Sequence, residues 1–384
     1  MKVTRVEITP VSVPFREPET WAWGERRGIS RVIVQVHTDD GLVGLGEAVG
    51  APSTPIMLEA LRHLAGLIEG HDPYRVEQCT RMLYGRGGWH YFRRLGNYAI
   101  AAVEMAFWDL IGQAAGQPVA HLLGGPVVDR VPFYYPIARK PLATMAEEAG
   151  AAVERGMRTV YLKIGLDEEA DVETVATVRQ ALGTRAKLRV DANEAWTAGE
   201  AIRVIKRIEP FDLEFVEQPV SMLDLDAMER VRDAVDVPIA ADQGAWLESD
   251  VLEVVRRRAA DVILTGPHRV GGLLAFKKVC GLCEVANIPV AKQSPGDLGI
   301  ATAAALQVVS TCPNAVGLAS QTHLSLLVHD IVRPEHVFTD GTLPVPMAPG
   351  LGVTLDPERL AEAHRRYLEA GSYTSHGDPR GETR

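Results

Sequence analysis

The chain has 384 residues, 46% hydrophobic and 23% charged, with 40 basic against 50 acidic side chains and a formal net charge of −10. This length suits one large barrel with a smaller attached domain, and the composition excludes a disordered or fibrous chain. The negative balance, with arginine pairs isolated at 26–27, 93–94 and 365–366, argues against nucleic acid or an anionic membrane as partner.

In chain order, MKVTRVEITPVSVPF reads as an opening strand rather than a signal peptide. No apolar run approaches the roughly 18 residues of a membrane span. The expected compartment is therefore the cytoplasm. A polar segment with two tryptophans, Trp21 and Trp23, precedes a hairpin whose strands are Arg31–His37 and Leu42–Glu47, turning at Asp39-Asp40-Gly41. Residues 55–84 and 97–116 read as helices; in the second, Ile100, Val103, Phe107, Leu110 and Ile111 recur at helical spacing. Strands followed by helices predict an α+β domain over residues 1–125.

From residue 126 to 339 short apolar strands alternate with helix-length segments. The strands read are Val131–Tyr135, Thr159–Lys163, Lys187–Asp191, Leu213–Glu217, Pro238–Asp242, Asp261–Leu264, Pro289–Gln293 and Ala315–Ala319. A βα unit repeating about every 25 residues predicts a TIM-like barrel, an α/β fold, over a doubly wound open sheet. The four cysteines do not make a disulfide scaffold, and Cys280 and Cys283 sit in an apolar helical stretch with no partners for redox or metal work. Residues 340–370 return to turn, strand and an amphipathic helix (Asp356–Tyr367) expected to pack back on the first domain, and 371–384 read as a disordered tail.

In a parallel barrel the C-terminal strand ends share one face, where active sites lie. Three consecutive strands here end in acids: Asp191 in LRVDAN, Glu217 in LEFVEQP and Asp242 in IAADQG. Taken singly, a strand-end acid is an ordinary loop or capping residue. Three on neighbouring strands repel one another unless a cation lies between them, and hard oxygen donors suit Mg²⁺ rather than Zn²⁺. One strand earlier stands Lys163, with Tyr161 two residues before it on the same strand face. Burial beside a dication lowers a lysine's pKa toward that of a general base. The alternative is a lysine that merely neutralises carboxylate charge.

The runs Lys163-Ile-Gly, Asp191-Ala-Asn193, Glu217-Gln218-Pro219 and Ala241-Asp242 closely resemble the enolase superfamily, in its mandelate racemase and muconate lactonizing branch. GLVGLGEA (41–48) and AIAAVEMAFWDLIGQAAGQPVAHLLGG (99–125) are similar to that branch's capping-domain signatures, and the resemblance spans about residues 1–370. It implies an N-terminal α+β cap, completed by C-terminal residues, on a (β/α)7β barrel. It further implies one Mg²⁺ per subunit held by Asp191, Glu217 and Asp242, a small-molecule carboxylate substrate whose α-proton is removed to give an enediolate, and a homo-oligomer, octamers included. Enzymes of this superfamily use a Lys or His base with Mg²⁺ stabilising the enediolate, and the resemblance assigns the base to Lys163.

The departures from the family pattern bear on the reaction. The branch carries Lys-x-Lys where this chain has Tyr161-x-Lys163, so a phenol replaces the outer lysine. On the opposite face, alignment puts Gly266 and Gln293 where the family places a lysine or a His-Asp dyad, and neither exchanges a proton at useful pH. Lys292 is adjacent, but strand alternation points it to the other side. Racemisation needs proton-transfer groups on both faces, whereas a syn elimination or cyclisation runs on one base. Dehydration of a hydroxy acid or acid sugar is therefore expected first, then cycloisomerisation of a lactone or muconate-like acid, then epimerisation. A carboxylate-binding barrel without turnover is the non-enzyme alternative. QSPGDLGIATAAALQ and ASQTHL faintly resemble acid-sugar dehydratases of the superfamily, and His268 and His323 are candidate acids. Asn193, Gln293 and Gln321 are candidate hydrogen-bonding residues, Trp21, Trp23, Trp196 and Trp246 candidate pocket walls, and Arg26 and Arg27 candidate receivers of a second carboxylate.

Overall fold

The computed structural model describes residues 1–21 and 24–373. Trp23 and the tail from 374 lie outside them, as does the side chain of Trp21. The first three strands form an antiparallel sheet: β1 (Val3–Trp21), β2 (Gly24–Thr38) and β3 (Val43–Val49). β1 and β2 reach further than the hydrophobic pattern predicts. Beyond a register shift between Pro14 and Glu19, the polar stretch read as loop continues as paired strand, with Glu19 opposite Arg26. The expected helix over 55–84 is two, α1 (Thr54–Ile68) and α2 (Val76–Gly85), because Gly70 takes a positive φ of 78° and Pro73 follows. Then α3 (Arg93–Ala115) closes the cap and stops at Gly116, at φ 64°. Its backbone lies so close to β3 that a Cβ on Gly46 would meet the carbonyl oxygen of Ala102 at 1.9 Å.

After a short α4 (Val119–Leu122) comes the expected first barrel strand, which the chain splits in two. β4 (Arg130–Pro132) pairs antiparallel with residues 342–344, and β5 (Tyr135–Ile137) enters the barrel. The parallel sheet continues through β6 (Thr159–Lys163), β7 (Lys187–Asp191), β8 (Leu213–Glu217), β9 (Ile239–Ala241), β10 (Val262–Thr265) and β11 (Val290–Lys292), each bonded to its sequence neighbour. The helices α5 (Leu142–Glu154), α6 (Glu168–Leu182), α7 (Ala198–Ile208), α8 (Leu225–Ala234) and α9 (Glu248–Arg257) fill the first connections. The later ones hold α10 (Pro267–Val270), α11 (Leu273–Val285) and α12 (Gly299–Val309).

The expected eighth strand, Ala315–Ala319, does not form. Pro313 starts a 3₁₀ turn to Ala315, and closure falls to Ser320, bridged to Phe133, and to Gln321, whose N–H donates to the Lys292 carbonyl at 2.8 Å. The final helix, α13 (Pro357–Ala370), is capped by the Asp356 carboxylate and packs on β1, with His364 against the Pro10 carbonyl. No helix among the described residues is long and apolar enough to cross a membrane.

Candidate active site

Register places the chemistry. Lys163 on β6 pairs with Asp191 on β7, and Asp191 with Glu217 on β8, so three strand ends present their last residues side by side. Strands in a sheet run about 4.8 Å apart, and laterally paired residues point to the same face. Asp242 follows β9 by one residue. All four line one cavity of about 290 Å³ at the barrel mouth, together with Tyr161, Asn193, Gln293, Gln321 and Arg26 among the expected residues.

The chain just past these strand ends is strained. Asn193, Glu194 and Gln218 take positive φ of 45°, 66° and 36°, uncommon for residues with a side chain and concentrated here at the mouth. The turn at Asn193 folds its N–H back onto Asp191 Oδ1 at 2.8 Å. Gln218 accepts the N–H groups of Asp242 at 2.9 Å and Gly244 at 3.0 Å and donates to the Val220 carbonyl at 2.8 Å, which fixes the loop carrying Asp242.

Each acid meets a different environment. Asp191 Oδ2 accepts from the Tyr161 hydroxyl at 2.5 Å and from Lys163 Nζ at 2.6 Å, and Lys163 also donates to Asn193 Oδ1 at 2.8 Å. Asp242 is gripped by Arg269, Nη1 to Oδ1 at 2.6 Å and Nη2 to Oδ2 at 3.1 Å. Glu217 Oε2 is buried with no hydrogen-bond partner. Burial, with Asp191 and Asp242 close by, raises the Glu217 carboxyl well above the usual carboxylate range.

The expected lowering of the Lys163 pKa assumes a dication beside the amine. Burial alone would lower its pKa, but Asp191, Glu217 and Glu19 outweigh burial and hold the ammonium above the ordinary lysine value. In the protein alone, the negative field wins over desolvation. Tyr161 stacks on Tyr134 with ring centroids 4.5 Å apart, and the Arg189 guanidinium lies over the Tyr134 ring, 5.4 Å from its centroid. The phenol is thus held in place by stacking and by its hydrogen bond to Asp191.

Among the described residues no three acidic, histidine or cysteine side chains are gathered closely enough to ligate one ion. Asp191 and Asp242 have turned to protein cations instead. The donor set nevertheless fits a divalent cation: three buried carboxylates share one cavity, and an orphaned oxygen of Glu217 sits among them.

Two expected acids do not reach the cavity. His268 is buried against the cap, Nε2 donating to the Glu47 carbonyl at 2.7 Å and Nδ1 lying 3.3 Å from Asp297. The Arg26 guanidinium donates to His323 Nε2 at 2.9 Å, so the ring proton sits on Nδ1. Burial and the Arg26 charge lower the His323 pKa to about 3, which leaves it a neutral ring at pH 7 and no acid. Lys292 lies beneath the mouth, paired with Asp297. Trp246 lines the cavity under the Arg269 guanidinium, whereas Trp196 lines a separate surface cleft.

Sequence reasoning missed Arg269, Glu19, Glu194, Gln218 and Gln243. Arg269 stands in the run GPHRVGG (266–272), but its reach to Asp242 depends on the single helical turn of α10. Glu19 lies in the stretch read as loop, and only strand pairing carries it over the mouth to Arg26.

Residues 3–124 match the Mandelate racemase / muconate lactonizing enzyme N-terminal domain family, and residues 144–359 the Enolase C-terminal domain-like family. The chain belongs to the enolase superfamily, in the mandelate racemase and muconate lactonizing branch. The hydrophobic dipeptide epimerase of Enterococcus faecalis is 29% identical over 93% of this chain and 96% of its own. Its structure, complexed with Mg and the dipeptide L-Leu-L-Tyr, superposes with a TM-score of 0.86 over 92% and 100% of the two chains. The cis-3-hydroxy-L-proline dehydratase of Roseibium aggregatum is 28% identical over 96% and 100%. An enolase structure from Streptomyces coelicolor is 34% identical, with a TM-score of 0.91 over 98% of this chain and 100% of the other. The protein is an enzyme of lyase or isomerase type, built for enolase-type chemistry in a superfamily that uses Mg²⁺.

Proposed function

We propose that this enzyme dehydrates a hydroxy acid, an acid sugar being the favoured class, by syn β-elimination with Lys163 as the base. Asp191, Glu217 and Asp242 would hold one Mg²⁺. When bound, that ion supplies positive charge that offsets the three carboxylates, steadies the substrate carboxylate as its α-carbon loses a proton, and relieves the field that keeps Lys163 protonated.

The chain's own residues do the rest. Neutral Lys163 Nζ accepts the α-proton, and the released electron pair forms the Cα–Cβ double bond as the Cβ–O bond breaks. The same Nζ returns the proton to the departing oxygen, which leaves as water. Tyr161 and Asn193 hold Lys163 and Asp191 in place through the hydrogen bonds described above.

One observation carries the choice of reaction. Across the mouth, after β10 and β11, the side chains are Gly266, Gln293 and Arg269, and the guanidinium is already committed to Asp242. Arginine stays protonated and an amide does not titrate, so this wall offers no second base. Epimerisation, the activity named for the Enterococcus relative, requires one. The test is incubation of the Mg²⁺-loaded enzyme with stereoisomeric sugar acids in D₂O. Formation of a dehydrated keto acid, with no inverted and deuterated substrate recovered, is the expected result. Recovery of inverted, α-deuterated substrate without dehydration would refute the proposal.

A further inference from the structure

We infer that the substrate is a monocarboxylate and that a second carboxylate is rejected. The inference rests on the reading above in one respect: the single carboxylate is placed at the Asp191–Glu217–Asp242 end of the cavity.

Charge balance comes first. Among the described residues the cations lining the cavity are Arg26, Lys163 and Arg269. Each is already paired with a carboxylate of the same lining: Arg26 with Glu19 at 2.5 Å, Lys163 with Asp191 at 2.6 Å, and Arg269 with Asp242 at 2.6 Å. Arg26 is further held by its contact with His323 and by its position over the Phe15 ring. Two more carboxylates, Glu194 and Glu217, line the cavity with no described cation at ion-pair distance. Arg27, the other candidate receiver of a second carboxylate, is exposed and paired with Glu25. With one Mg²⁺ counted beside these three cations, five positive charges face the five carboxylates Glu19, Asp191, Glu194, Glu217 and Asp242, so once the first substrate carboxylate is bound no positive charge is left for a second.

A buried carboxylate without a partner is costly, so a second one weakens binding.

The test uses matched pairs that differ only at the distal group: sugar monoacids against the corresponding diacids, and L-Ala-L-Gln against L-Ala-L-Glu. Binding to the Mg²⁺-loaded enzyme is read by calorimetry, which needs no turnover, and α-proton loss by NMR in D₂O. The expected result is at least tenfold tighter binding of the monoacid in whichever series binds, and the responding series identifies a sugar acid or a peptide. Equal or tighter binding of the diacid overturns the inference, as does failure of every member to bind. Glu19→Gln, which frees Arg26, is expected to move the preference at least tenfold toward the diacid. An unchanged preference would show that the ion pair is not its cause. Selective monoacid binding without loss of water sinks the proposed reaction and leaves the substrate class standing; turnover of a tightly bound diacid does the reverse.

Discussion

Two regions of this molecule bury carboxylates under the same cap, and they treat them in opposite ways. Along the seam between cap and barrel, each oxygen of three acids has a donor. Glu47 accepts from the N–H groups of Leu298 at 2.8 Å and Ala301 at 3.0 Å, at the start of α12. Glu104 accepts from Leu273 at 2.8 Å and Leu274 at 3.0 Å, at the start of α11, and from the Trp108 indole at 2.7 Å. Asp109 binds the N–H groups of Leu45 at 2.9 Å and Leu351 at 2.8 Å. These cap acids tie the barrel's helix starts and chain end to the N-terminal domain, two of them at helix N-termini where negative charge is favoured. At the mouth, three acids face one cavity, two have turned to protein cations and one oxygen of the third has no donor. Burial alone does not mark a functional carboxylate; crowding without donors does.

The contrast can be broken or sharpened by substitution. The largest effect belongs to Lys163→Ala, expected to lower kcat about 10²–10⁴-fold while circular dichroism stays unchanged. Turnover close to that of the parent would remove Lys163 from the reaction. Next, Glu217→Gln removes a buried carboxyl that lacks a partner and resists ionisation, so the metal-free variant is expected to be more stable than the parent at pH 8 by about 3 kcal/mol, read by urea unfolding. The same exchange in the seam is followed through pH. Burial raises the Glu104 carboxyl from 4.5 to about 7, so the folded chain holds that proton more tightly than the unfolded one. Its stabilising contribution is complete below about pH 4.5 and is lost as pH rises through about 7. Glu104→Gln cannot ionise, so its stability relative to the parent should climb by about 3 kcal/mol between pH 4 and pH 8. A flat difference would show that the donors, rather than burial, set the protonation state of Glu104. The smallest effect is expected for Tyr161→Phe, which deletes one hydrogen bond to Asp191 and should cost about tenfold in kcat/KM, or roughly 1.5 kcal/mol.

The barrel and its acids are legible in the sequence because both depend on local pattern. A βα unit every 25 residues or so puts Lys163, Asp191 and Glu217 at strand ends, and lateral register does the rest. The cap signatures have a physical reading as well: their Glu47, Glu104 and Asp109 are the seam acids, and Gly46 gives α3 its close approach to β3. What escapes depends on contacts distant in sequence. The reach of Arg269 to Asp242 and of Glu19 over the mouth, and the burial of His268 and His323 away from the cavity, leave no periodic trace. The eighth strand does not form because the 3₁₀ turn opened by Pro313 takes up Ala315, and Gly317 weakens the short apolar run that remains. The raised Lys163 pKa belongs to the chain without a dication, whereas the lowering read from the sequence assumes one beside the amine.

Calorimetric titration of chelator-stripped protein with Mg²⁺, run in parallel on the parent, Glu217→Gln and Glu104→Gln chains, addresses the mouth most directly. One ion per chain in the parent and in Glu104→Gln, with affinity lost in Glu217→Gln, is the predicted outcome. Undiminished Mg²⁺ affinity in Glu217→Gln, or no binding by the parent, would contradict a cation site at the crowded strand ends.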